Sequence, residues 1–291
     1  MRLCLKCSHL WSGGLLTCPQ CSYAPSYGGE NNVFPIFSEE FENEGKQFFD
    51  KTAYQRLFES EDKSFWFQAR NKLVVALIKK YFPKVNSLFE MGCGTGFVLA
   101  NIKKHFPAMQ VSGADIYAES LSFAKQRLGD KAELYQMDGR QIPFFEEFDL
   151  ICAFDVLEHI QEDEVVLLQM HKALKPGGGV VLAVPQHPSL WSETDEMACH
   201  VRRYKTNELQ DKVKRAGFEL LFSSSFVSML MPLMWSVRRA RKTSATTQLA
   251  PPLFLNKLLY LVLRIEVALL RMGIRLPFGG SRIIVARKVS F

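Results

Sequence analysis

The chain has 291 residues, of which 47% are hydrophobic, 23% charged and 12% aromatic. This composition excludes collagen-like and wholly disordered chains and is rich enough in apolar residues to form a sizeable core. The 36 Lys and Arg outnumber the 30 Asp and Glu, and the net charge of +6 is compatible with an anionic partner but too small to identify one.

The N-terminus is rich in cysteine and does not show the pattern of a secretory signal, because polar residues interrupt its apolar positions. We therefore expect a reducing, cytoplasmic setting without a disulfide framework. Four cysteines stand in two C-x2-C pairs, Cys4 with Cys7 and Cys18 with Cys21. Four thiolates at the corners of a tetrahedron suit a structural Zn²⁺ with no open coordination position. We predict a zinc ribbon over residues 1–30, with reduced thiols on a flexible tail or a redox pair as the alternatives.

The predicted ribbon has few Lys and Arg between its cysteine pairs. A nucleic-acid-binding ribbon needs such cations to contact phosphates. We therefore expect the ribbon to pack on protein, with a protein partner favoured and nucleic acid disfavoured.

After the ribbon, apolar residues recur first with a helical period and then in short runs. Residues 45–82 form an aromatic-rich helical segment that Pro83 ends. The later runs alternate with helical segments, which favours βαβ units and a mostly parallel sheet with helices on both faces. We predict an α/β, Rossmann-like fold with seven strands, in a domain over residues 31–225 completed by a final strand at 281–289. The predicted strands lie at 87–89, 110–114, 133–136, 148–154, 180–184, 218–222 and 282–286.

An apolar and basic insertion, residues 226–280, separates the last two predicted strands. Residues 220–237 carry no charge for 18 residues, but serines and Pro232 argue against a membrane span. A basic cluster follows at 238–242, and an apolar helix is predicted at 253–272.

The predicted helix at 253–272 carries its cations along one line. Lys257, Arg264 and Arg271 recur every seven residues, and Glu266 lies about 180° away from Lys257 at roughly 100° per residue. Such a helix either packs on the core or lies in a membrane interface with its cations towards anionic headgroups. The second alternative would make the protein peripheral to the inner membrane surface.

The most informative stretch is a strand followed by a glycine turn and the start of a helix. Gly92, Gly94 and Gly96 have the spacing G-x-G-x-G. Glycines let a ligand approach the backbone closely, and the helix N-terminus offers unpaired N–H groups to a carboxylate. The spacing is one residue shorter than the dinucleotide fingerprint, which disfavours a nicotinamide dehydrogenase.

Acidic residues stand at the ends of the first three predicted strands. Glu90 precedes the glycines, and Asp115 ends the next strand, where a carboxylate can accept two hydrogen bonds from a ribose diol. Asp138 ends the following strand and is placed to accept a hydrogen bond from an exocyclic adenine amine. These positions predict a pocket for an adenosyl group.

On these residues and three further motifs, the chain resembles the class I S-adenosylmethionine-dependent methyltransferases. The motifs are residues 148–160, the glycine-rich turn at 174–179 and the pattern at 200–218. The resemblance covers about residues 46–226 and the final strand. It implies a cofactor loop of Glu90, Gly92, Gly94 and Gly96, ribose binding by Asp115, adenine binding by Asp138 and Gly139, and a floor under the methionine part at Phe154. Arg70 resembles the arginine that meets the cofactor carboxylate in ubiquinone-pathway O-methyltransferases.

The resemblance implies a reaction without a catalytic metal, because the sulfonium of S-adenosylmethionine is already an activated electrophile. A hydroxyl or protonated amine acceptor would need a base, and His200 and His159 are the first candidates, with His187 third. Each has a structural alternative: His159 as a helix cap, His187 in a turn, and His200 as an orienting partner of Asp195 or Tyr204.

We expect a methyltransferase for a small-molecule or lipid-linked acceptor. Arg202, Arg203 and the cluster at 238–242 favour a phosphorylated one. An RNA or protein methyltransferase that uses the ribbon for recognition is one alternative, although residues 154–157 lack the tetrapeptide associated with base-amine methylation. A non-catalytic interaction module that keeps the cofactor fold is the other.

Overall fold

The computed structural model describes residues 1–30, 33–38, 51–239 and 251–289, and of residues 237–239 it describes the backbone alone. The side chains of the basic cluster predicted at 238–242 therefore lie outside the described residues, as do residues 45–50 of the predicted helical segment. Helices and strands are numbered in chain order over the described ranges.

The described strands form two sheets. They are β1 (Arg2–Leu3), β2 (Leu10–Trp11), β3 (Ser26–Gly28), β4 (Phe34–Ile36), β5 (Ser87–Met91), β6 (Gln110–Asp115), β7 (Glu133–Gln136), β8 (Phe148–Phe154), β9 (Leu174–Pro185), β10 (Phe218–Phe226) and β11 (Ser281–Lys288). β1 and β2 pair with each other, and the remaining nine form one sheet in the order β10-β11-β9-β8-β5-β6-β7-β4-β3. The six strands from β9 to β4 in this order are parallel, and β11, β10 and β3 are antiparallel to their neighbours.

Helices connect the strands and cover the sheet. They are α1 (Lys51–Ser60), α2 (Phe65–Tyr81), α3 (Phe97–His105), α4 (Ala118–Leu128), α5 (Asp163–Ala173), α6 (Glu193–Met197), α7 (Glu208–Arg215), α8 (Met231–Arg239) and α9 (Leu253–Met272). A short 3₁₀ turn, Leu157–His159, follows β8.

Two apolar cores cover the two faces of the nine-stranded sheet, because successive side chains of a strand point to opposite faces. Leu88 and Leu150 belong to the core that includes α2, α3, α4 and α9, whereas Phe89 and Ile151 belong to the core that includes α5 and α7. The prediction of an α/β, Rossmann-like, mostly parallel sheet with helices on both faces is confirmed.

The predicted number of seven strands is wrong, because two short strands extend the sheet from the N-terminal side. All seven predicted runs form strands, β5 to β11. In addition, β4 pairs in parallel with β7 through Ile36 opposite Gln136, and β3 pairs with β4. Each added strand has only three residues, and β4 contains Pro35. Such strands are too short to show an alternating pattern in the sequence.

The first residues of the chain are hydrogen-bonded to the loop that follows β7. The amide of Leu3 donates to the carbonyl of Pro143 at 3.0 Å, and the amide of Phe145 donates to the carbonyl of Met1 at 2.9 Å. The N-terminal segment thus contacts the nine-stranded sheet domain at this loop as well as through β4.

One face of α9 packs on the core beside α2, and this face is apolar except for Glu266. Glu266 is buried and accepts hydrogen bonds from the amides of Ser228 and Met229, both at 3.0 Å. Burial raises the pKa of this carboxyl. Among the helices of the described ranges, none has the length and hydropathy that a membrane span requires.

Candidate functional site

The glycine turn lies between β5 and α3, at the carboxyl end of the parallel strands. Gly92 has a φ of +69° and Gly94 a φ of +51°, values that residues with a side chain rarely adopt. A Cβ on Gly92 would lie 2.3 Å from Cγ2 of Val156, whereas a Cβ on Gly94 would meet nothing within 4 Å. Gly96 directly precedes α3. The turn therefore presents backbone to an open space.

Two buried carboxylates flank this turn. Glu90 is 2% exposed, and its Oε2 has no hydrogen-bond partner among the described residues. Burial raises the pKa of Glu90 to about 8. Asp115 accepts hydrogen bonds from the amides of Gly94 at 2.9 Å and Tyr117 at 3.0 Å, and burial raises its pKa as well. Because a carboxylate oxygen can accept two hydrogen bonds, both acids retain capacity for a ligand.

Asp138 follows β7 and is held from two sides. Its carboxylate accepts hydrogen bonds from Arg140, the shortest at 2.6 Å, and its amide donates to Oγ of Ser38 at 3.1 Å. An adenine amine bound here would therefore share the carboxylate with Arg140. Ser38 follows β4, so the N-terminal extension of the sheet supports this position directly.

Arg70 lies on α2 and forms an ion pair with Asp155, the first residue after β8. Its guanidinium carbon lies 4.4 Å from the ring centroid of Trp66 and 5.9 Å from that of Phe154. Its Nε is buried and has no hydrogen-bond partner among the described residues. This N–H is available to a ligand carboxylate.

These residues line one cavity of about 1220 Å³. This volume exceeds the range of about 300–1,000 Å³ that is usual for a small-molecule site, so a cofactor and an acceptor can be accommodated together. The cavity reaches eight of the nine predicted cofactor-binding residues, namely Arg70, Glu90, Gly92, Gly94, Asp115, Asp138, Gly139 and Phe154. The ninth, Gly96, lies at the start of α3.

His200 and His159 both line this cavity, with ring centroids 4.8 Å apart. Nδ1 of His200 lies 2.9 Å from Oδ1 of Asp195, and in the tautomer with a proton on Nδ1 it donates to this carboxylate and leaves Nε2 as the acceptor. That Nε2 is 3.9 Å from Oε1 of Glu158. Burial, and to a smaller extent His200, lower the pKa of His159 to about 4. His187 is not among the described residues that line the cavity.

Glu158 is a member of this cluster that the sequence reasoning did not single out. Its side chain is fully buried, and neither carboxylate oxygen has a hydrogen-bond partner among the described residues. Burial raises its pKa well above the ordinary value. Potential ligand atoms of Glu158, His159 and His200 lie within 4.8 Å of one another, which is the spacing of ligands around a metal ion. The adjacent Glu158 and His159 were the feature of the sequence that could have indicated this cluster.

Residues 89–182 match the sequence family described as a methyltransferase domain. The mitochondrial ubiquinone biosynthesis O-methyltransferase of Candida albicans is 31% identical over 124 residues, which are 40% of this chain and 38% of that protein. The malonyl-[acyl-carrier protein] O-methyltransferase of Priestia megaterium is 23% identical over 39% of this chain and 42% of that protein. The chain spans about two fifths of the length of these curated relatives, and they support the class I S-adenosylmethionine-dependent family.

A solved structure extends the likeness beyond the methyltransferase domain. It is phosphoethanolamine N-methyltransferase 2 of Haemonchus contortus, in complex with phosphomonomethylethanolamine and S-adenosylhomocysteine. It aligns with a TM-score of 0.60 at 17% identity, over 86% of this chain and 60% of that chain. At this identity the alignment shows a shared fold.

The basic pair expected to meet an anionic acceptor is engaged by carboxylates of the methyltransferase fold. Arg203 is buried and donates to Asp195 at 2.7 Å, and Arg202 pairs with Asp163 at 2.9 Å. A buried charge such as that of Arg203 needs a partner, and both ion pairs involve the segment that follows β9. Arg203 also holds Asp195 beside His200.

The insertion supplies an apolar wall to this cavity, a role that the sequence did not predict. Nine of its residues line the cavity: Val227, Leu230, Leu233, Met234, Pro251, Pro252, Leu255, Leu259 and Gly280. The uncharged run at 220–237 was the feature of the sequence that could have indicated this role. Such a run is equally compatible with a strand and a helix buried in the core.

The four predicted zinc ligands converge outside the methyltransferase domain. The Sγ atoms of Cys4 and Cys21 are 3.6 Å apart, and those of Cys7 and Cys18 are 3.7 Å apart. With Zn–S bonds of about 2.3 Å, a tetrahedral site has S···S edges of about 3.8 Å. All four thiols are free, and their number, type and spacing fit Zn²⁺.

Proposed function

We propose that this protein is an S-adenosylmethionine-dependent methyltransferase acting on a small-molecule or lipid-linked acceptor. The observation that carries the proposal is one cavity shared by three features. These are the glycine turn, the buried acids Glu90 and Asp115, and the Asp195–His200 pair.

S-adenosylmethionine supplies a methyl group that its sulfonium has already activated for transfer. Asp115 is placed to accept from the ribose hydroxyls, and Asp138 with Gly139 to bind the adenine end. Arg70 would donate its free Nε–H to the carboxylate of the methionine part. The orphaned Nε of Arg70 and Oε2 of Glu90 support this fit, since buried polar atoms without partners are uncommon in folded proteins.

His200 is the proposed general base for a hydroxyl or protonated amine acceptor. Its Nε2 takes the proton, while Asp195 holds Nδ1–H and fixes the ring orientation. Oε1 of Glu158 lies 3.9 Å from this Nε2, and burial raises the pKa of Glu158. Exclusion of water by the apolar wall would complete the site.

The apolar wall from the insertion favours an acceptor with an apolar portion. The names of the relatives refer to ubiquinone biosynthesis, malonyl-[acyl-carrier protein] and phosphoethanolamine, and each name applies to that protein alone. A phosphorylated acceptor has less support, because Arg202 and Arg203 already pair with carboxylates.

We also infer that Cys4, Cys7, Cys18 and Cys21 hold a structural Zn²⁺. The convergence of four thiols at tetrahedral spacing supports this inference. A bound zinc would make no step of methyl transfer, since four thiolates leave no open coordination position.

Two measurements test the proposed function. Calorimetric titration should show binding of S-adenosylhomocysteine and no binding of NAD. Incubation of cell extract with isotope-labelled S-adenosylmethionine should then label a small molecule or lipid when wild type is added, and should not when His200→Gln is added. Label in RNA or protein would establish an RNA or protein methyltransferase. A chain that binds neither S-adenosylhomocysteine nor NAD would establish the non-catalytic interaction module.

A further inference from the structure

The outward face of α9 is an exposed apolar stripe. Phe254, Leu258, Leu261, Ile265 and Met272 are all exposed, with Phe254 at 81% and Met272 at 69%. At about 100° per residue these five side chains fall within about 60° of arc. They lie opposite the face that packs on the core.

Three cations border this stripe. Lys257, Arg264 and Arg271 are exposed and fall within about 40° of arc along one edge of the apolar side chains. The acid of the same helix, Glu266, is buried and bound to backbone amides, so it does not neutralise them. The outward face of α9 is therefore apolar along its centre and positive along one edge.

The apolar stripe is continuous with the wall of the cavity. Leu255 of α9 is 39% exposed and also lines the cavity, and Leu233 of α8 is 47% exposed and lines it too. Leu253, at the start of α9, is 78% exposed. The cavity therefore opens onto the same apolar surface.

We propose that α9 lies in the headgroup region of a membrane that carries anionic lipids. The apolar stripe would enter the boundary of the acyl chains, and Lys257, Arg264 and Arg271 would contact the headgroups. With α9 placed in this way, an acceptor with an apolar chain would enter the cavity from the membrane beside Leu255 and Leu233. This step rests on the proposed function.

A second copy of the chain is the competing occupant, because the spacing of the stripe is also that of a coiled-coil seam. An antiparallel pair would bring the cations of both helices close together, and in a parallel pair the outward face of α9 has no acid to offset them. Anionic headgroups offset these charges, so charge complementarity favours the membrane.

The experiment is co-sedimentation of the full chain with phosphatidylcholine vesicles, prepared with and without phosphatidylglycerol. The variant Lys257→Gln/Arg264→Gln/Arg271→Gln removes the positive edge, and Leu258→Ser/Leu261→Ser/Ile265→Ser removes part of the stripe. The control Lys104→Gln/Lys131→Gln/Lys172→Gln makes the same charge change at exposed positions outside the insertion.

Wild type and control should sediment with the phosphatidylglycerol vesicles and not with pure phosphatidylcholine. Each cation near an anionic surface is worth about a five-fold gain in partitioning, so the positive-edge variant should bind roughly 100-fold more weakly. The serine variant should also lose binding.

Three results would overturn the proposal. The first is that wild type stays in the supernatant of anionic vesicles. The second is that the control variant loses as much vesicle binding as the positive-edge variant. The third is that wild type is a dimer in sedimentation equilibrium and the serine substitutions dissociate it. Calorimetry with S-adenosylhomocysteine separates this proposal from the proposed function. Vesicle binding without ligand binding would contradict the enzyme, and the reverse would contradict the membrane site.

Discussion

Replacing Asp115 by alanine should weaken cofactor binding and destabilise the fold, and the two effects can be measured separately. The carboxylate accepts hydrogen bonds from the amides of Gly94 and Tyr117. Removing it leaves two partly buried donors without this acceptor. A fully buried unsatisfied group costs about 1–3 kcal/mol, so for these two amides together the free energy of unfolding should fall by about 1–3 kcal/mol. The lost hydrogen bonds to the ribose should add a 5- to 150-fold loss of affinity, from about 1–3 kcal/mol.

Asp149 provides a control for the structural part of this effect. It accepts hydrogen bonds from the amides of Asn86 and Ser87, both at 2.9 Å, and pairs with Lys175. It is near the start of β8 and does not belong to the described residues that line the cavity. Asp149→Ala should therefore destabilise the chain to a similar degree without changing the affinity for S-adenosylhomocysteine.

Urea unfolding and calorimetric titration of wild type and both variants provide the measurement. If Asp115→Ala binds as tightly as wild type, the carboxylate does not contact the ribose. If Asp149→Ala loses as much affinity as Asp115→Ala, the loss reflects general destabilisation and the assignment fails.

Four further substitutions test other parts of the molecule. Cys18→Ser should release zinc, which metal analysis measures. It should also lower the affinity for S-adenosylhomocysteine several-fold, because N-terminal residues support Asp138. Unchanged affinity would mean that the ribbon serves only as a docking element. His200→Gln should lower kcat by about 10²–10⁴-fold and leave ligand affinity unchanged. Asp195→Asn should show a smaller loss of the same kind. If the His200 variant keeps the full rate, His200 is not the base. Burial raises the pKa of Glu90 to about 8, so its contribution to stability is present at low pH and lost as the pH rises through about 8. Glu90→Gln should therefore reduce the fall in unfolding free energy between about pH 5 and about pH 8, and an identical pH profile would refute this.

Most residues predicted for the cofactor side lie together in the fold, and the main signals for them are local in sequence. A strand, a glycine turn and a helix start follow one another at residues 87–97, and the spacing of Gly92 and Gly94 reflects the backbone conformation they adopt. Acids at the ends of parallel strands converge because those ends meet at one edge of the sheet. Eight of the nine residues predicted to bind the cofactor, from these signals and from the family resemblance, line the same cavity.

Within the acceptor side, tertiary structure decided what the sequence left open. His200 could serve as a base or as a partner of Asp195, and only the folded chain shows that it contacts Asp195 with one nitrogen and faces Glu158 with the other. The pairing of Arg203 with Asp195 likewise depends on how the segment after β9 folds back.

By itself, the sequence determined the seven strands β5 to β11, the glycine turn and the two cysteine pairs, because each depends on residues close together in the chain. The tertiary structure alone decided that β4 would extend the sheet beside β7, that the insertion would line the cavity, and that one face of α9 would be buried while the other stays exposed. These outcomes depend on contacts between residues far apart in the chain, which hydrophobic periodicity does not encode. Periodicity shows that a face is apolar, and only packing shows what covers it.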